Sequence, residues 1–134
     1  MQEEQEMSER AIVRLRKICL ALPEVAERSS HGSPSFFVQD KKCFVMFVDD
    51  HHGDGILGVW CAAPPGAQQA LIGEAPEWFF KPPYVGHRGW IGLRLDRNLS
   101  WDEFQEYIID AYVAVAPPKF SSRLEGGKLG EVEP

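Results

Sequence analysis

Apolar residues recur every three or four positions near both ends of the chain, and between them they gather into short runs separated by glycine, proline and acidic clusters. Near the N-terminus, Ile12, Leu15, Ile18, Cys19 and Leu22 share one face of a helix predicted from an N-cap at Ser8 to about Ala21. Pro23 stops it, and the polar stretch that follows reads as a connection to a turn at His31. Residues 35–39 and 42–48 read as a hairpin around Asp40 and Lys41. Its second arm, Cys43 to Val48, is too continuously apolar for alternation to separate two faces, which suits a central strand. A polar connection from Asp49 to Gly55 leads to a third strand over 56–61, and this local order favours an antiparallel meander.

In the second half, Pro64, Pro65 and Gly66 mark a turn before a short predicted helix from Ala67 to Ile72. Trp78 to Phe80 reads as a short edge strand interrupted by Pro82 and Pro83. Over 90–95, Ile91, Leu93 and Leu95 alternate with Trp90, Gly92 and Arg94, as in a strand with two distinct faces. Ser100 followed by Glu103 forms a capping box for a helix whose stripe is Phe104, Ile108, Ala111, Tyr112 and Val115. Pro117 and Pro118 end that helix, and from Ser121 onward no period survives, so a loose tail is predicted. The predicted order, α-β-β-β-α-β-β-α, is that of an α+β two-layer sandwich with an antiparallel sheet packed by helices mainly on one face. One domain over residues 8–119 is expected, with an acidic tail at 1–7 and a flexible tail at 120–134.

With 134 residues and 44% hydrophobic composition, the chain can bury a sizeable core. Its net charge of −6 sits at the ends: residues 1–9 carry four acids and no base, whereas residues 10–123 balance 13 acidic against 13 basic groups. Local fields, rather than the global charge, therefore decide which partners are attracted. No run approaches the roughly 20 apolar residues of a membrane span, and the acidic N-terminal stretch is unlike a signal peptide. A cytoplasmic protein with no membrane partner is expected. Cys19, Cys43 and Cys61 each lie in an apolar run and read as buried reduced thiols.

Three stretches carry candidate chemistry. Residues 81–97 hold Lys81, Arg88, Arg94 and Arg97 against Asp96 alone, with His87, Tyr84 and Trp90 interleaved. Lys81, His87, Arg88, Trp90 and Arg94 are accordingly the candidate contacts for an anion or nucleic acid, with Arg88 and Arg94 first among them. The alternative is that the rings cover the sheet and the charges are solvated. His31, beside Ser33 and Ser35, reads as a turn residue bracing backbone or as a ligand contact. Asp49, Asp50, His51, His52 and Asp54 crowd one loop, but their spacing matches no zinc or calcium motif; a solvated turn and no metal are expected. No phosphate loop, dinucleotide fingerprint or nucleophile elbow is present, so no catalytic residue and no cofactor are predicted. Arg10, Arg14, Arg16 and Lys17 read as a solvated helix face.

The ordered set His31-Gly32-Ser33-Pro34-Ser35-Phe36, Lys41-Lys42, Pro83-Tyr84-Val85-Gly86, Gly89-Trp90-Ile91 and Ala111-Tyr112 resembles the MmcQ/YjbR family. The resemblance spans about residues 8–119. It implies a secretion-chaperone-like α-β(3)-α-β(2)-α arrangement and a proposed DNA-binding role described through a double-wing motif. Ser33 stands where similar proteins often carry a second histidine, and Ala111 where serine is common. The leading expectation is weak contact with DNA or another phosphate-bearing ligand. A protein-interaction or chaperone-like module using a sheet edge or a helix–sheet groove is the alternative, and a small-molecule enzyme ranks third.

Overall fold

A computed structural model describes residues 2–125. Helix α1 spans Gln2–Leu20 and so begins well before the expected cap at Ser8. Glu3 and Glu4 occupy its first turn, where carboxylates favour the positive end of the helix dipole. It buries Ala11, Leu15 and Cys19. The polar stretch after Pro23, read as a connection, is instead strand β1, Val25–Ser30. No apolar alternation marks it, because its partners hold it. It is paired along its length with β2, from Val25 opposite Val38 to Ser30 opposite Ser33. Arg16 of α1 grips Glu27 at 2.8 Å, and Arg28 reaches Asp40 at 2.8 Å while lying 3.9 Å over the Phe37 ring.

The other strands are β2 Ser33–Val38, β3 Lys42–Asp49, β4 Leu57–Cys61, β5 Phe79–Phe80 and β6 Ile91–Arg94. They form one sheet in the order β1-β2-β3-β4-β6-β5, antiparallel throughout. Helix α2, Ala67–Glu74, precedes β5, and α3, Trp101–Val115, follows β6 behind the expected Ser100–Glu103 capping box. The α+β sandwich read from the sequence is the fold, with one strand added at its edge and one helix at its end. That last helix, α4, covers Pro118–Glu125, with Pro118 in its first turn and Phe120 buried. The tail expected to be loose from Ser121 is therefore helical to Glu125; its remainder, 126–134, lies outside the described residues.

Strand register sorts the side chains into two layers. The rows Phe36–Val45–Cys61–Ile91 and Phe47–Val59–Leu93–Phe79 are buried beneath the helices. There Phe44 meets the Tyr112 ring edge-on at 5.5 Å, and Phe79 meets Tyr107 at 5.1 Å. Tyr112 also donates its hydroxyl to the Pro23 carbonyl at 2.6 Å, tying α3 to the segment that follows α1. The intervening row, Ser35–Met46–Trp60–Gly92–Phe80, belongs to the opposite face of the sheet.

This core holds its acidic protons firmly. Burial pushes the Cys61 thiol up to about 12, and raises Cys19 and the Tyr112 phenol above their ordinary values. The fold binds these protons more tightly than the unfolded chain, so the stabilisation is complete below the ordinary thiol range and lost as pH rises from there through the raised native values. Urea midpoints measured under reducing conditions at about pH 7 and about pH 11 will show a clear fall at the higher value. Equal midpoints would refute this account of the core.

Candidate functional site

Three turns, far apart in sequence, rise around the face of the sheet away from the helices. The first joins β1 to β2 through His31 and Gly32, with φ of 52° and 80°. Left-handed backbone at both central residues is what a two-residue hairpin requires. The second follows β3. Asp50, at φ 58°, and Asp54 accept backbone hydrogen bonds from Gly55 at 2.7 Å and Ile56 at 2.9 Å, so these carboxylates shape their own loop. Between them residues His51–Gly53 coil into a single 3-10 turn, in keeping with the turn expected over this stretch. The two imidazoles thus come together, with ring centroids 4.1 Å apart.

The third turn carries Tyr84. Gly86 donates to the Pro82 carbonyl at 3.0 Å and Val85 to that of Pro83 at 2.6 Å, which holds Tyr84 at φ 65° with its ring largely exposed. Gln68 of α2 braces the same segment, donating to the carbonyls of Gly86 at 2.7 Å and Trp90 at 2.6 Å. A Cβ at Gly86 would lie 2.6 Å from Lys81 Cγ, so the lysine side chain would have to move aside.

The turns enclose a pocket of about 820 Å³. Trp60 and Trp90 supply its buried surface; Cys43, Met46, Ser30, Ser33, Val85, His31, His51, His52, Tyr84 and Arg88 complete the wall. Three of the chain's four histidines are here, and among the described residues no carboxylate lines the pocket, although the protein is acidic overall. The His51 ring packs 4.8 Å from Trp60 and 6.0 Å from Tyr84. Arg88 lies 5.2 Å over the Trp90 ring and has no ion-pair partner among the described residues. Two buried polar atoms, His51 Nε2 and Trp60 Nε1, have no hydrogen-bond partner among them either.

Of the residues singled out in the sequence, the pocket gathers His31, Arg88 and Trp90. Lys81 and His87 are exposed on the third turn and outside the lining. Arg94 is engaged elsewhere: its Nε and Nη2 hold both oxygens of Asp96 at 2.9 Å. Burial would raise the Asp96 carboxyl, but the hydrogen bonds and charge of Arg94, with help from Arg97, hold it below the usual range. Asp96 in turn borders a separate cleft with Asp49 and Asp50. Burial raises the Cys43 thiol above its ordinary value, which disfavours the reactive thiolate. Trp60 and Met46 went unread as site residues. Their one signal was parity, which sets Trp60 opposite in facing to Val59 and Cys61. The 49–54 loop supplies two histidines to the pocket, while among the described residues no group of three metal-capable side chains forms there or elsewhere.

His31 offers a clean test of the first turn. His31→Gly relieves left-handed strain while adding freedom to the unfolded chain, so the melting temperature will stay within about 3 °C. His31→Val, a β-branched residue forced to the same φ, will cost about 1–2 kcal/mol. Thermal melts of the pair will show this split, and equal melting would contradict the turn geometry.

A family model described as YjbR matches residues 20–114, a range that contains all six strands and every residue of the pocket. The chain is also similar to the crystal structure of Deinococcus radiodurans protein DR2400, with a TM-score of 0.65 and 19% identity over 89% of each chain. At that identity the likeness shows a shared fold. No curated protein matches the chain.

Proposed function

The chain belongs to the YjbR family, and we propose that it is a binding domain whose open sheet face takes a ligand combining a flat ring with a phosphate: a nucleotide, free or as an unpaired base of single-stranded DNA. The observation that carries this reading is the convergence of three separate turns on one pocket with aromatic walls, three histidines and, among the described residues, an arginine without an ion-pair partner and no acid. Aromatic faces hold bases by stacking, worth about 1–3 kcal/mol per base, and cations at the same site draw in phosphate. The volume lies within the roughly 300–1,000 Å³ typical of small-ligand sites. A paired base in a duplex would first have to leave its stack to enter. Strand β1 supports strand addition less well, because the charged side chains of Glu27 and Arg28 mark this edge and both are ion-paired.

Titrations with a short single-stranded DNA, its duplex and free deoxynucleoside monophosphates will test the reading. Tryptophan fluorescence is the natural readout, since Trp60 and Trp90 both line the pocket. Single strands will bind more tightly than duplex, and affinity will fall as salt rises. Absence of binding by single strands and nucleotides at low salt would overturn it, as would a preference for duplex.

A further inference from the structure

Trp60 and His51 single out one end of the pocket. Trp60 is 3% exposed, sits on the central strand β4, and its indole N–H has no acceptor among the described residues. Beside it, with ring centroids 4.8 Å apart and nearly perpendicular at 76°, His51 buries Nε2 equally without a partner. Burying an unsatisfied polar atom is costly, and native structures hold few of them. Two such atoms from contacting rings that line the same pocket form a pair of unused hydrogen-bonding positions. One is a fixed donor, since an indole N–H can only donate; the other is an imidazole nitrogen able to accept or, as the other tautomer, to donate.

Arg88 and Tyr84 differ in place and chemistry. Both are exposed; Arg88 is cationic, and Tyr84 presents its ring. Charge thus sits at the solvent-facing wall, while the two unsatisfied nitrogens belong to rings of the more buried wall. Phosphate placed against Trp60 would lose its water where only one fixed donor waits. A heterocycle placed there would present a ring or carbonyl acceptor next to an N–H, the adjacent pair found on the edges of nucleobases and absent from sugar phosphates. We infer that the ligand enters base first, with Trp60 Nε1 donating to an acceptor on the base edge, His51 Nε2 meeting the neighbouring group, and the phosphate left at Arg88. This rests on the function proposed above and adds to it the orientation and the part of the ligand that is recognised.

The test compares the four deoxynucleoside monophosphates with 2-deoxyribose 5-phosphate, using the protein with Trp60 intact and with Trp60 replaced by 3-benzothienylalanine. That replacement keeps the bicyclic shape and exchanges the N–H for sulfur, so the fold survives and thermal melting verifies it. At least one nucleotide will bind about tenfold or more tightly than the sugar phosphate, and the isostere will erase about three- to tenfold of that preference, the worth of one hydrogen bond. His51→Phe, which retains a flat ring, will weaken the same nucleotide while leaving the sugar phosphate unchanged. If nucleotides and sugar phosphate bind equally, or if neither substitution alters the preference, base-first entry is wrong while phosphate binding stands. If no nucleotide binds at all, the proposed function itself fails.

Discussion

Gly58→Ala will lower the melting temperature by about 10 °C, the loss expected for roughly 3 kcal/mol of overpacking in a domain of this size. Gly58 lies on β4 opposite Arg94 of β6, and a Cβ there would run into the Leu93 carbonyl oxygen, with the Arg94 Cα 3.3 Å away. These neighbours are backbone atoms of a paired strand, so no side chain can rotate aside. The ladder between β4 and β6 would have to part, and it joins the two halves of the sheet. Gly73→Ala is the matched control. It lies on α2, where a Cβ meets nothing within 4 Å, and it will gain up to about 1 kcal/mol from helix propensity. Similar thermal melts for the two variants would show that close backbone approach is not what requires glycine at 58.

Arg88→Glu will weaken single-stranded DNA binding by about 30-fold or more, whereas Arg94→Ala will leave that affinity within about twofold. The two arginines look alike in sequence and differ in what surrounds them. Arg88 stands over Trp90 in a pocket lined by no carboxylate among the described residues, so reversing its charge replaces attraction with repulsion at the phosphate position. Arg94 is held by both oxygens of Asp96. Its loss will appear in stability, at about 1–2 kcal/mol, because the half-buried Asp96 carboxylate is left without its main partner. That contribution is present above the ordinary carboxyl range and disappears as acid protonates Asp96, so the Arg94→Ala deficit will shrink at low pH. Fluorescence titrations with denaturation curves separate the two roles. Equal losses of affinity would return Arg94 to the binding surface.

Elements legible in the chain were those whose stability is local or periodic. The Ser100–Glu103 capping box and the stripe from Phe104 to Tyr112 specify α3 because neighbouring turns of one helix carry all the information. Apolar runs mark β2, β3, β4 and β6 for the same reason: each needs burial whatever lies on top of it. The family resemblance was likewise readable, because it rests on the order of short motifs, and the family match now stands on residues 20–114. Strand β1 was not legible, because its residues are polar and gain their conformation from β2, Arg16 and Asp40. Helix α4 escaped notice because the burial of Phe120, rather than a long stripe, accompanies it.

The candidate site divides in the same way. His31, Arg88 and Trp90 stood out as residues, since a turn histidine and a cationic aromatic stretch are visible in one dimension. That they share a pocket with His51, Tyr84 and Trp60 depends on the sheet register, which gathers segments nearly sixty residues apart in sequence. Arg94 meets Asp96 only two residues along the chain, whereas Arg88's place over Trp90, with no ion-pair partner among the described residues, was a tertiary decision. Charge and residue type are properties of the chain, but whether a charge is already neutralised depends on which side chains folding sets within hydrogen-bonding reach.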